Sequence, residues 1–176
     1  GFDEDKSKIL KLERQKSYIK HISSSDLKKS IKNNLLKPTN DFNLLGKMDV
    51  IIICVPTPLT KSKKPNLQFV NNAIKKIIDN LKNNSPLIIL ESTTYPGTCN
   101  EILKKEFKKN KLMDGRDFYL AYSPEREDPG NKKFKTENIP KVLGADNILS
   151  KKLVKKFYEK IFKKVIPVNS LAVAEA

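Results

Sequence analysis

The sequence predicts an α/β fold, a doubly wound and mostly parallel sheet, and three observations carry that expectation. Short apolar runs recur along the chain, each long enough for one buried strand. Amphipathic stretches of helical spacing separate them. Polar loops rich in proline and hydroxyl groups follow three of those runs, where the carboxyl ends of parallel strands would lie.

The N-terminal stretch is the least regular: Lys6 to Arg14 is expected to be helical, Ser25 or Asp26 to cap a second helix, and Thr39-Asn40-Asp41 to turn. Asp49 to Val55 is continuous and rich in β-branched residues, as in a strand covered on both faces. After a proline-punctuated loop from Pro56 to Pro65, Asn66 is placed to cap a helix. In that helix Phe69, Val70, Ala73, Ile74, Ile77, Ile78 and Leu81 repeat at helical spacing. Asn83-Asn84-Ser85-Pro86 ends it, and Leu87 to Leu90 makes a second buried strand. Ser92 to Thr98 turns, and Ile102, Leu103 and Phe107 mark another helix. Phe118 to Tyr122 is a third strand and Lys141 to Gly144 a short fourth. Leu149 to Phe162 reads as a helix with Leu153, Val154, Phe157 and Ile161 inward, and Val165 to Val168 closes the series. Strands alternating with helices of this length imply right-handed βαβ units.

Composition narrows the function. The chain has 176 residues and a net charge of +15, from 35 basic against 20 acidic side chains. Nearly all of the positive charge is lysine, and Arg14, Arg116 and Arg126 are the only arginines. Base and phosphate recognition leans on the arginine fork and on aromatic stacking, and neither pattern is present. The charge therefore reads as a solvated lysine-rich surface, and no nucleic acid is expected as a partner. No apolar run is long enough to span a membrane. Cys54 and Cys99 form neither a disulfide framework nor a metal-ligand spacing, which fits a reducing, cytoplasmic setting. Cys54, after Ile51-Ile52-Ile53, is expected to be a small buried hydrophobe, and Cys99 an ordinary helix residue. His21, the only histidine, has no partner in sight. The chain lacks an initiating Met and a signal-peptide core, and its ends read as artificial.

Ligands of open parallel sheets bind beyond the carboxyl ends of the strands, and that rule selects three loops. They are Val55-Pro56-Thr57-Pro58, Glu91 to Thr98, and Tyr122 to Asn131. The first is equally a rigid exit from a strand. The Ser92-Thr93-Thr94 hydroxyls are equally a helix cap or groups facing a phosphate, a nicotinamide or a water. In the third, Glu125 stands beside Arg126 with Asp128 close by, a solvated charge cluster or a site for acid-base work. Asp3, just after Phe2, is placed like the acidic residue that binds a ribose in dinucleotide-binding units, or is a surface turn aspartate.

Read in order, these stretches resemble the UDP-glucose/UDP-N-acetylhexosamine dehydrogenase family. The matching residues are Gly1-Phe2-Asp3, Asp49 to Pro58, Glu91 to Thr98 (ESTTYPGT), Ser123-Pro124-Glu125-Arg126, Asp128-Pro129-Gly130-Asn131, Ile139-Pro140-Lys141-Val142 and Val173-Ala174-Glu175. The resemblance implies a Rossmann-like NAD-binding domain over residues 1–170 that lacks its first βα unit, with 171–176 opening a central helix. It implies that Asp3 binds the adenosine ribose, that Val55, Pro56 and Thr57 line the NAD, and that Thr94 lies near the nicotinamide and a catalytic water. Glu125 would handle protons or that water during hydrolysis of an enzyme-bound thioester. With Arg126, Asp128 and Asn131 it would also shape the sugar-nucleotide pocket.

The reaction so implied is oxidation of a UDP-sugar at its C6 alcohol, twice, to the uronic acid used in surface polysaccharides. A homodimer is implied, and no metal. The run Ser123 to Gly130 looks like the branch that acts on N-acetylated sugars. The family's glycine-rich turn, central-helix lysine and asparagine, and nucleophilic cysteine have no counterpart in these residues, and neither Cys54 nor Cys99 takes the nucleophile's place. The polypeptide by itself is therefore expected to be inactive. One other reading stays open, a non-catalytic, degenerate nucleotide-binding module, while the strand-end motifs argue against a third, a basic nucleic-acid-binding domain.

Overall fold

The computed structural model describes residues 1–19, 22–82, 84–125 and 138–176. It separates into two compact units, Gly1–Leu44 and Leu45–Ala176. His21 and the site candidates Arg126, Asp128 and Asn131 lie outside the described residues.

In the smaller unit, α1 (Lys6–Glu13) is capped by Asp5, whose side chain accepts the Ser7 N–H. Helix α2 (Ser24–Lys32) is capped by Ser23, which accepts the Asp26 N–H, so the cap stands before both Ser25 and Asp26. The Ser23 hydroxyl is the one at the correct offset from the third helical N–H. Phe2 forms a parallel bridge with Thr39, and its ring stacks on Phe42 with centroids 5.8 Å apart. Thr39 therefore joins a bridge rather than a simple turn.

The larger unit holds one sheet in the order β1-β2-β3-β4-β5. Its strands are β1 (Val50–Ile53), β2 (Leu87–Leu90), β3 (Tyr119–Tyr122), β4 (Lys141–Gly144) and β5 (Val165–Val168). The first three are parallel, β4 is antiparallel to β3, and β5 is parallel to β4. The crossover β1 to β2 contains α3 (Gln68–Asn80). The crossover β2 to β3 contains a π-helical turn (Cys99–Lys104) running into α4 (Lys105–Lys109). Right-handed crossovers moving the same way along the sheet put these helices on one face. Reversing the strand direction at β4 reverses that rule, so α5 (Ile148–Tyr158), between β4 and β5, covers the other face. There Val154 and Tyr158 pack on Leu87, Ile89, Ala121 and Leu143.

Several expectations need correction. β1 is shorter than the apolar run and is not covered on both faces, for Ile52 is 39% exposed. It is the edge strand of this sheet, and α5 reaches β2 to β5 without covering it. Helix α3 starts at Gln68, with Asn66 Oδ1 accepting the Gln68 N–H at 3.0 Å, and Phe69 points outward. Helix α5 stops at Tyr158, so Ile161 lies beyond it and is exposed, as is Leu153. The buried stripe is instead Ser150, Val154 and Tyr158, spaced four apart.

After β5, α6 (Leu171–Glu175) folds back over the end of β4. Gly144 permits that approach: a Cβ there would strike the Ser170 carbonyl and come within 2.7 Å of the Ala174 methyl.

Candidate functional site

The parallel run of β1, β2 and β3 brings their three exit loops to one edge of the sheet. There a cavity of about 440 Å³ is lined by Cys54, Val55, Pro56, Thr57, Glu91, Ser92, Thr93 and Glu125. The sequence candidates Val55, Pro56, Thr57 and Glu125 thus meet around one space. Thr94 is one residue beyond the lining. Asp3 belongs to the smaller unit, where its carboxylate accepts the Asp5 N–H at 2.9 Å and pairs with Lys8 at 3.1 Å.

Ser92 ties two of the loops together. Its hydroxyl accepts the Val55 N–H at 3.0 Å and donates to the Val55 carbonyl at 2.7 Å. Thr57 Oγ1 donates to the Thr93 carbonyl at 2.6 Å. These hydroxyls hold the cavity wall in shape and do not cap the following helix. That start is held by Glu175 of α6, whose carboxylate accepts the Gly97 N–H at 2.6 Å and the Cys99 N–H at 2.8 Å. The start of this helix is therefore already occupied by an internal carboxylate. Gly97, at φ +101°, supplies the left-handed turn that aims its N–H there.

Thr94 remains apart. Its Oγ1 is buried without a hydrogen bond of ordinary geometry, beside the Tyr122 hydroxyl. Burial raises the Tyr122 phenol above its usual range, so that neighbour stays neutral. A buried hydroxyl lacking a partner is a group that a bound molecule or water can satisfy.

Next to the cavity, and reaching it through Cys54, Glu91 and Glu125, lies a cluster whose partners the sequence alone does not bring together. Glu91, the first residue after β2, pairs with Lys141 at 2.9 Å, and the Tyr158 phenol donates to the same Oε1 oxygen. The other carboxylate oxygen accepts the Cys54 thiol at 3.6 Å. Lys141 also lies 3.8 Å from Glu125. Burial, reinforced by Glu91, pushes the Tyr158 phenol far above its ordinary range. Cys54 is exposed, not a buried hydrophobe, because β1 ends at Ile53 and the cysteine begins the loop. Desolvation around its sulfur, reinforced by Glu91, pushes the thiol up to about 12. It is held as a neutral donor and not as a nucleophile. Cys99 is fully buried at the start of the π-helical turn, and burial raises its thiol as well.

Comparison with known proteins identifies the family. The family model for the UDP-glucose/GDP-mannose dehydrogenase family, NAD binding domain, matches residues 1–162. Protein CapL of Staphylococcus aureus is 32% identical over 178 residues, a match covering 100% of this chain and 41% of the relative. The UDP-N-acetyl-D-glucosamine 6-dehydrogenase of Salmonella typhi is 30% identical, with the same 100% and 41% coverage. Among solved structures, the UDP-D-ManNAc dehydrogenase of Pyrococcus horikoshii superposes with a TM-score of 0.87 at 29% identity, covering 99% of this chain and 42% of that one. The chain thus spans about two fifths of the length of the relatives it matches.

Proposed function

The chain belongs to the UDP-glucose/GDP-mannose dehydrogenase family, whose NAD binding domain it carries, and from that premise we propose that the whole protein is a UDP-sugar 6-dehydrogenase. In this reading it oxidises the C6 alcohol of a UDP-N-acetylhexosamine to the uronic acid, consuming two NAD per sugar. It works as a cytoplasmic homodimer supplying surface-polysaccharide precursors. Residues 1–170 form the NAD-binding domain and 171–176 open the helix that follows.

The observation that carries the reading is the meeting of Val55, Pro56, Thr57, Ser92, Thr93 and Glu125 around one cavity at the carboxyl edge of the sheet. Dinucleotides bind at that edge in open α/β sheets. The unsatisfied Thr94 hydroxyl next to the lining gives a polar anchor, and Val55 and Pro56 give an apolar stretch of wall for a flat ring amid the hydroxyls and carboxylates of Thr57, Ser92, Thr93, Glu91 and Glu125. Held by these residues, NAD would supply the hydride acceptor for oxidation of the sugar carbon. Val55, Pro56 and Thr57 wall in the cofactor, and Asp3 binds the adenosine ribose. Thr94 orients the water that ends the reaction. Glu125 receives protons released at the sugar or activates that water, while Arg126, Asp128 and Asn131 complete the sugar-nucleotide pocket. Relatives named for N-acetylated UDP-sugars, such as the Salmonella typhi enzyme, support that substrate class.

The test is NADH formation by the full-length protein with UDP-N-acetylglucosamine, UDP-N-acetylmannosamine and UDP-glucose. One of the N-acetylated sugars is expected to give the highest kcat/KM, with Thr94→Ala and Glu125→Gln each losing about 10²-fold or more. A preference for UDP-glucose overturns the substrate assignment. No turnover with any UDP-sugar overturns the activity itself and favours a degenerate nucleotide-binding module.

A further inference from the structure

Lys141 is the least expected group at the cavity. A lysine is rarely buried unless paired, and this side chain is 5% exposed. Its position follows from topology. Because β4 runs against β3, the first residue of β4 lies beside the carboxyl ends of the parallel strands, so Lys141 enters the functional edge from the strand least like the others. Its ammonium is 5.3 Å from the Tyr158 ring centroid and 5.4 Å from that of Phe162, which places a cation over two aromatic faces. One oxygen of Glu91 anchors it at 2.9 Å, and an oxygen of Glu125 lies 3.8 Å away on the cavity side.

Glu91 is fully engaged. Lys141, the Tyr158 phenol and the Cys54 thiol occupy its two oxygens. Glu125 differs, for its side chain is 46% exposed and it lines the cavity. Two carboxylates that share one cation are held at a fixed separation, whereas without the cation they repel.

We propose that Lys141 is a positioning residue: anchored on Glu91 beside the cavity, it fixes the Glu125 carboxylate at the cavity edge where that carboxylate acts. The inference rests on the role given to Glu125 in the proposed function. Lys141 itself touches neither substrate nor cofactor in this assignment. The cluster beneath it, Glu91 with Tyr158 and Cys54, is the rigid base that keeps the ammonium from following Glu125 outward. A misplacement of about 1 Å at a reacting group costs on the order of 10²-fold in rate, and that is the scale expected.

The experiment compares three variants of the full-length protein: Lys141→Arg, Lys141→Met, and Lys141→Met combined with Glu91→Gln. The double variant removes both charges of the buried pair together, so no lone charge is left to unfold the domain. Lys141→Arg is expected to keep most of kcat. The double variant should melt near the parent yet lose about 10- to 100-fold in kcat, with KM for NAD changed less than about threefold. Recovery of kcat in the double variant would overturn the proposal, because it would show that only charge balance in the core mattered. So would a Lys141→Met protein that folds and turns over within twofold of the parent.

A crystal structure of the double variant separates this idea from the activity assignment. Displacement of the Glu125 carboxylate from the cavity edge supports positioning even if the parent protein oxidises no UDP-sugar. An unmoved carboxylate sinks it.

Discussion

Two glutamates, Glu91 just after strand β2 and Glu175 at the end of helix α6, take their partners in opposite ways. Glu91 and Glu175 are both largely buried, and each draws together parts of the chain far apart in sequence. Glu175 accepts two backbone N–H groups and seals the start of a helix. Glu91 takes its partners from side chains, a lysine, a phenol and a thiol, beside a cavity. Backbone partners cannot change protonation state or swing away, so the first arrangement is architecture. Side-chain partners can titrate, move and pass a charge to a neighbour, so the second is where function can be placed. Burial alone does not separate the two; the kind of partner does.

Several perturbations should tell the two glutamates apart, and the strongest is chemical. With its thiol pushed up to about 12, Cys54 carries far less thiolate near pH 8 than a free cysteine does. Native protein should be alkylated roughly 10²-fold more slowly than a free thiol, once solvent screening is allowed for. Because the raised value favours the neutral form, the rate must climb as pH rises from about 9 toward about 12. Glu91→Gln, checked for native melting, should speed the reaction at Cys54; an unchanged rate would show that the carboxylate has no hold on the thiol.

Next in size, Glu175→Ala strips two backbone N–H groups of their carboxylate and should lower the unfolding free energy by about 2–3 kcal/mol in urea titration. A loss below about 0.5 kcal/mol would mean that water replaces the cap and that the contrast is false. Gly144→Ala attacks the same cap indirectly, by pushing α6 off β4, and should cost about 1–3 kcal/mol by the same measurement. Smallest is Ser92→Ala, which unties the Val55 loop from its neighbour and should cost about 1 kcal/mol. Amide exchange at Val55 would then quicken while exchange at Cys99 stays slow, and equal acceleration at both would deny that the two regions are separate.

How much of this was legible in the sequence depends on the distance over which each contact acts. Leu87 to Leu90 is readable because a short apolar run bounded by Asn83-Asn84-Ser85-Pro86 and by the hydroxyl-rich loop after it has the length and flanks of a buried strand, and all four residues are buried. The three exit loops are readable because one rule of parallel sheets fixes their common edge, and Val55, Pro56, Thr57 and Glu125 do line one cavity. The inward face of α5 was misread for a plain reason. Periodicity weighs apolar residues, so it chose Leu153 and Ile161, whereas the sheet buries Ser150 and Tyr158, a hydroxyl and a phenol that bond to Asp114 and Glu91. Cys54 inherited its expected burial from the isoleucines before it, although the strand stops one residue earlier. Lys141 and Glu175 stand in stretches that carry the family resemblance, yet nothing local marks what either side chain does. Each matters through partners that only the antiparallel turn at β4 or the return of α6 brings near.

Gly144 carries a consequence of its own. Since there is no room for a methyl group between β4 and α6, the two elements meet backbone to side chain with no compliant layer between them. Glu175, near the end of α6, grips the Gly97 and Cys99 amides, and Thr94 stands three residues before Gly97. A push on α6 is therefore relayed to the loop bearing the unsatisfied hydroxyl as through a stiff lever, whose fulcrum is a missing methyl group.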